Sequence, residues 1–174
     1  MMSDSGLPPI RRVVTGHDGA GHAVFKTDEE YPTRTVPTGD AAATLIWTTP
    51  TVPADNNDES DGRGREAGMT LNSGSVIRVV DMLPGGESPM HRTNSIDYGI
   101  VLSGEVELKL DNGETRTVGP NGIFIQRGTI HLWRNNGDVP CRIVFVLIEA
   151  PPYLHQGKPL TQHKPEDVVA AAAG

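Results

Sequence analysis

The sequence predicts an all-β protein, a barrel or sandwich of short strands, on three observations. Composition is the first: 36% hydrophobic and 5% aromatic residues, with 20 Gly and 14 Pro among 174 residues, suit many strands joined by turns better than a helical bundle. Spacing is the second, because from Ser75 to Ala150 apolar runs recur about every 8–12 residues with Gly, Pro, Asn or Asp between them. The third is turn chemistry. Asn112-Gly113 in LDNGET accepts the positive φ of a tight hairpin, so strands over 105–110 and 114–118 pair antiparallel. A chain of this length supports one domain with a real core.

Taken in order, the elements begin with a hairpin from Ile10 to Phe25, in which the link HDGAG joins RRVVTG to HAVFK. ATLIWTT, ending at Thr49, is a further strand, bounded by Gly39-Asp40 and Pro50. From Ala54 to Ser73 the chain is polar, glycine-rich and nearly free of apolar residues, and it is expected to be a disordered loop, with a mobile lid as the alternative. Residues 1–74 are thus N-terminal strands and a polar loop packed on a barrel. The barrel itself is 75–150, built from SVIRVVDML, SIDYGIVL, EVELKLD, ETRTVG, IFIQR, IHLWRN and CRIVFVLIEA. The tail, 151–174, is expected to end in a short alanine-rich helix that Pro165 opens, with Glu166 and Asp167 in its first turn.

A formal net charge of -7 argues against nucleic-acid or anionic-lipid partners, which need clustered Lys and Arg. A small molecule remains as the partner. Cys141 is the single cysteine, so no intrachain disulfide forms and no paired-cysteine metal or redox motif exists. The first 30 residues hold no apolar signal core, and no run of about 18 apolar residues occurs. A cytoplasmic protein is expected.

Strand periodicity then singles out a site. With period two, His91, Thr93, Asp97, Gly99 and Val101 share one face, while Tyr98, Ile100 and Leu102 share the other. That second face is apolar enough to need a cover, either the N-terminal hairpin or a second subunit, and a homodimer is expected. Further on, Gln126-Arg127-Gly128-Thr129 forms a tight turn that places His131 and Trp133 on one face of the next strand. Burying two imidazoles and a carboxylate on one inner surface costs stability without a packing gain. His91, Asp97 and His131 are therefore the candidate catalytic residues. Trp133 is either core filler or a stacking wall for a flat substrate. Arg78 interrupts the run SVIRVVDM and could clamp a substrate carboxylate, although a solvated strand face or a pair with Asp81 is the blander reading. Arg127 reads as structural, as do His17, His22, His155 and His163.

The two blocks resemble the paired motifs of the cupin superfamily, G-x5-H-x-H-x3-4-E-x6-G followed by G-x5-P-x-G-x2-H-x3-N. The first reads Gly85 or Gly86, His91, Thr93, Asp97 and Gly104, with the Asp97-to-Gly104 spacing kept, and the second, about 16 residues on, reads Asn121, Gln126, Gly128, His131 and Asn135, with the spacings kept from Gln126 onward. The resemblance covers roughly Ser75 to Ala150. It implies a cupin jelly roll, the double-stranded β-helix barrel, with the N-terminal strands extending one sheet. It also exposes departures: metal-binding members use both first-motif His, the Glu and the second-motif His, whereas here Thr93 replaces one His and Asp97 replaces the Glu. Three ligands, His91, Asp97 and His131, would still suit Fe(II) in a facial triad. The wording H-R-T-x-S-x-D-Y and Q-R-G-T-x-H-x-W is similar to that of single-domain cupins of polyketide and aromatic secondary metabolism. This implies a lyase, a dehydratase or decarboxylase; the residues themselves suit acid/base chemistry in the barrel without a cofactor, with Arg78, Thr93 and Trp133 expected to bind substrate. The alternatives are a non-haem iron dioxygenase on the same three residues and a non-catalytic binding module.

Overall fold

A computed structural model describes residues 4–71, 73–160 and 162. The expected C-terminal helix and His163 lie outside these residues. Among the described residues thirteen strands follow in order: β1 (Ile10–His17), β2 (Ala23–Tyr31), β3 (Arg34–Thr35), β4 (Ala41–Thr49), β5 (Ser75–Met82), β6 (Ser95–Ser103), β7 (Val106–Leu110), β8 (Thr115–Val118), β9 (Ile123–Arg127), β10 (His131–Arg134), β11 (Cys141–Glu149), β12 (Leu154–His155) and β13 (Lys158–Pro159). The sheet order is β3-β4-β5-β11-β6-β9 in the large sheet and β10-β7-β8 in the facing one. Chain 87–91 widens the small sheet through bridges Glu87 to Arg134 and His91 to His131. This is the expected jelly roll, and β3 and β4 extend its large sheet. Among the described residues no helix is long and apolar enough to cross a membrane.

Turn chemistry acts where it was expected. Gly113 takes φ +88 between β7 and β8, which pair antiparallel with Val106 opposite Val118. Alternation is equally clear on β6, where Ser95, Asp97, Gly99 and Val101 are buried and Tyr98 is exposed. Between the sheets lie Met82, Val101, Val106, Phe124, Trp133 and Ile143. Gly99 shows how tight that packing is, since a Cβ there would come 1.8 Å from Cζ of Phe124. Gly99→Ala is therefore expected to cost about 1–3 kcal/mol by overpacking, read as a fall in the urea midpoint. An unchanged midpoint would mean that the Phe124 ring has room to move.

Two expectations about the N-terminal region need correction. The hairpin β1–β2 forms its own two-stranded sheet and reaches β4, where Arg12 Nη1 donates to the Ile46 carbonyl at 3.4 Å. It does not cover the outer face of β6 and β9, where Tyr98, Leu102, Ile123 and Ile125 are 40–65% exposed. The polar segment after Ala54, expected to be disordered or a lid, is instead a strap fastened to β4. Thr48 Oγ1 donates to the Gly62 carbonyl at 2.5 Å, Arg63 Nε to the Leu45 carbonyl at 3.1 Å and Arg65 Nη1 to the Thr48 carbonyl at 3.0 Å. The main fastening is Arg12, which is 5% exposed and grips Asp61 with two nitrogens at 2.7 and 2.9 Å. Its guanidinium lies 4.9 Å from the centre of the Tyr31 ring and 5.7 Å from that of Trp47. Ala67 then packs with Val76 and Leu147, which brings the strap to the rim of the barrel.

Candidate active site

One cavity of about 110 Å³ opens inside the barrel, and Arg78, His91, Asp97, His131 and Trp133 all line it. Apolar side chains make most of the rest of its wall, among them Val80, Met82, Phe145, Leu147 and, from the strap, Met69, with Thr38, Asp40 and Ser88 as further polar members. Period two explains the selection: on β5 Arg78, Val80 and Met82 face inward, and on β6 Asp97 does. His91 and His131 meet because the chain before β6 pairs with β10. Each backbone N–H donates to the other's carbonyl, at 2.8 and 2.9 Å, which sets the ring centroids 4.3 Å apart.

Both imidazoles are held in one tautomer. Nδ1 of His91 lies 2.9 Å from the Pro89 carbonyl and Nδ1 of His131 lies 3.0 Å from the Thr129 carbonyl. A carbonyl only accepts, so each Nδ1 carries the proton and each Nε2 keeps a free lone pair. Burial lowers the pKa of His91, and burial together with neighbouring His91 lowers that of His131 to about 3. Both rings are neutral at physiological pH. Gly128, at φ +59, closes the turn that delivers His131, and Gln126 Nε2 donates to Thr129 Oγ1 across it.

Asp97 is 5% exposed, and burial raises its pKa to about 6 against the opposing pull of Ser95, Arg78 and Thr93. Ser95 Oγ donates to its Oδ1 at 2.5 Å and lies 2.8 Å from Thr93 Oγ1. Thr93 is thereby corrected from a substrate contact to a support. It is 2% exposed and stands behind Asp97 rather than in the cavity wall. Ser95 was missed in the sequence, although its place two residues before Asp97 on one strand face would have found it. Met69 left no such signal, because it reaches the cavity from an irregular strap.

Arg78 does not pair with Asp81. The two sit three residues apart and so face opposite sides of β5, and Asp81 instead accepts from Arg142, its cross-strand neighbour, at 2.6 and 2.9 Å. Arg78 is 7% exposed and donates through Nη2 to the Gly68 and Met69 carbonyls at 2.6 and 3.2 Å. Trp133 packs in the core, its ring centroid 4.4 Å from that of Phe124 with the planes tilted by 38°, and it also lines the cavity.

His91 and His131 offer two nitrogen donors of the kind a divalent metal takes. Asp97 does not complete a triad with them: its carboxylate is engaged by Ser95 and faces the Arg78 charge. Among the described residues no three His, Cys, Asp or Glu side chains converge so as to hold an ion. The cavity thus holds one carboxyl with a raised pKa together with two neutral imidazoles and a cation.

Residues 78–147 match the family model described as Cupin domain. Across 156 residues, 84% of this chain and 82% of the relative, the sequence is 43% identical to phomopsin biosynthesis cluster protein C' of Diaporthe leptostromiformis. It is 39% identical to the cupin-domain-containing oxidoreductase fogC of Aspergillus ruber, over 88% of this chain and 79% of that one. Against the cupin-domain-containing oxidoreductase virC of Hypocrea virens the figures are 37%, 84% and 79%. With the two motifs on neighbouring elements of a jelly roll, and relatives matched along most of their length, the chain belongs to the cupin superfamily.

Proposed function

We propose that the protein is a small-molecule enzyme of secondary metabolism whose barrel catalyses a lyase-type reaction, dehydration or decarboxylation, on an oxygenated aromatic or polyketide-like substrate. The observation that carries this reading is Asp97, a buried carboxyl with a pKa of about 6 that lines one cavity with two neutral imidazoles. Such a group is ionised at neutral pH yet basic enough to take a proton from carbon beside a carbonyl. In the dehydration form, Asp97 removes that proton, the C–H electrons form a C=C bond, and the neighbouring C–O bond breaks. The departing hydroxide takes the proton from Asp97 and leaves as water. The free Nε2 atoms of His91 and His131 accept hydrogen bonds from substrate hydroxyls, which orients the substrate and relays protons, while Trp133 provides a flat wall. Names among the relatives support small-molecule metabolism: one is a phomopsin biosynthesis cluster protein.

The second reading is a non-haem iron dioxygenase, supported by the paired imidazoles and by the oxidoreductase names of fogC and virC. The engagement of Asp97 by Ser95 and Arg78 weighs against it. The two readings separate when chelator-treated protein is incubated under argon in heavy water with a panel of β-hydroxy carbonyl compounds. A lyase forms the conjugated product and incorporates deuterium beside the carbonyl. Turnover that demands both added iron and oxygen overturns the lyase reading, and saturable binding of the panel without any product leaves a binding module.

A further inference from the structure

We infer that the substrate enters this cavity as a carboxylate and that Arg78 receives it, an inference that rests on the cavity being the active site. Arg78 is 7% exposed, in a wall that sets Val80, Met82, Phe145 and Leu147 beside the polar Asp40, Ser88, Asp97 and the two imidazoles. A buried guanidinium normally finds a carboxylate to offset its desolvation. Here it finds two backbone carbonyls, Gly68 and Met69, both on Nη2. Its Nε is buried without a hydrogen-bond partner, and among the described residues Arg78 forms no salt bridge. Asp97 acts on it at longer range and is itself held by Ser95. Burial lowers the Arg78 pKa to about 10, so the group is still a cation at neutral pH.

A cation that lines the cavity and keeps an unused N–H is complementary to a planar anion with two oxygens, which meets the guanidinium fork side by side. The cavity, about 110 Å³, is smaller than the roughly 150 Å³ that encloses benzene. It therefore takes a short acid whole, or the acid end of a larger molecule. Anchoring the carboxylate also distinguishes the two lyase reactions. Loss of carbon dioxide is opposed by a cation that stabilises the carboxylate in place. Elimination of water is assisted, because the second negative charge that grows on the carboxylate oxygens as Asp97 removes the neighbouring proton is offset by Arg78.

The test is calorimetric binding of crotonate and benzoate, each against its uncharged amide, to the wild type, Arg78→Met and Arg78→Lys, with folding checked by thermal melts. The wild type is expected to bind each acid about tenfold or more tighter than its amide. Arg78→Met loses that preference, and Arg78→Lys, which keeps the charge but not the fork, retains only part of it. Equal binding of acid and amide by the wild type, no binding of either acid, or full preference in Arg78→Lys overturns the inference. Asp97→Asn separates it from the lyase reading. If that variant keeps the wild-type turnover, proton transfer by Asp97 fails while the carboxylate preference can still stand.

Discussion

Asp97→Asn is expected to lower turnover by about 10²–10⁴-fold, the usual contribution of a positioned proton carrier, while the fold persists. An amide keeps the shape of the carboxyl and its contact with Ser95 but cannot take a proton. In the wild type the rate should rise with pH through an apparent pKa of about 6, because only the ionised carboxylate is a base. The variant should lose that limb. Stability gives an independent reading of the same group. Its folded pKa lies above the ordinary 3.8, so the unfolded chain ionises first as pH rises. Wild-type stability relative to Asp97→Asn should therefore fall between about pH 4 and pH 6, by on the order of 3 kcal/mol, and level off above. A rate that is flat across pH 6, or an Asp97→Asn variant with full activity, would remove Asp97 from the chemistry.

Arg12→Met is expected to cost about 2–4 kcal/mol of stability and to loosen the strap. Arg12 joins four segments at once: it comes from β1, lies over Tyr31 of β2 and Trp47 of β4, and grips Asp61 of the strap. Methionine keeps part of the packing and none of the charge-assisted hydrogen bonds. Asp61 is half exposed, so it returns to water when Arg12 is gone, which holds the cost below that of stranding a buried ion. For a domain of this size the melting temperature should drop by about 5–15 °C. Trypsin should then cut faster after Arg63 and Arg65, whose contacts with β4 depend on the strap being seated. The cavity should feel the loss as well, since Met69 is part of its wall. An unchanged melt with an unchanged digestion pattern would show that the remaining strap contacts suffice.

The two variants act on parts of the protein that were unequally readable. Asp97, His91 and His131 were found from strand alternation and motif spacing, because both are local rules: period two decides a face, and a fixed turn length carries that face into the next strand. Ser95 obeys the same rule and was overlooked. Thr93 was placed in the site for sharing a face with Asp97, yet its hydroxyl turns to Ser95 and the carboxylate behind the wall. The strap failed for a different reason. Its charges looked solvated when counted along the chain, but the partner of Asp61 is 49 residues away in β1, and only the folded chain brings them together. Arg78 shows both effects, since alternation excludes Asp81 as its partner while the carbonyls of Gly68 and Met69 come from that same unreadable strap.

The sequence by itself determined the all-β class, the β7–β8 turn and the three polar side chains that share the inner surface, because each follows from periodicity or turn chemistry within a few residues, and the resemblance of its two motif blocks pointed to the jelly-roll family. Tertiary structure alone decided the electrostatics of the site. Burial keeps both imidazoles neutral and lifts Asp97 to about 6, and long-range packing lays a polar strap over β4 and leaves Arg78 buried with an unused N–H at the cavity. Desolvation depends on everything packed around a group, and most of what surrounds this one is distant along the chain.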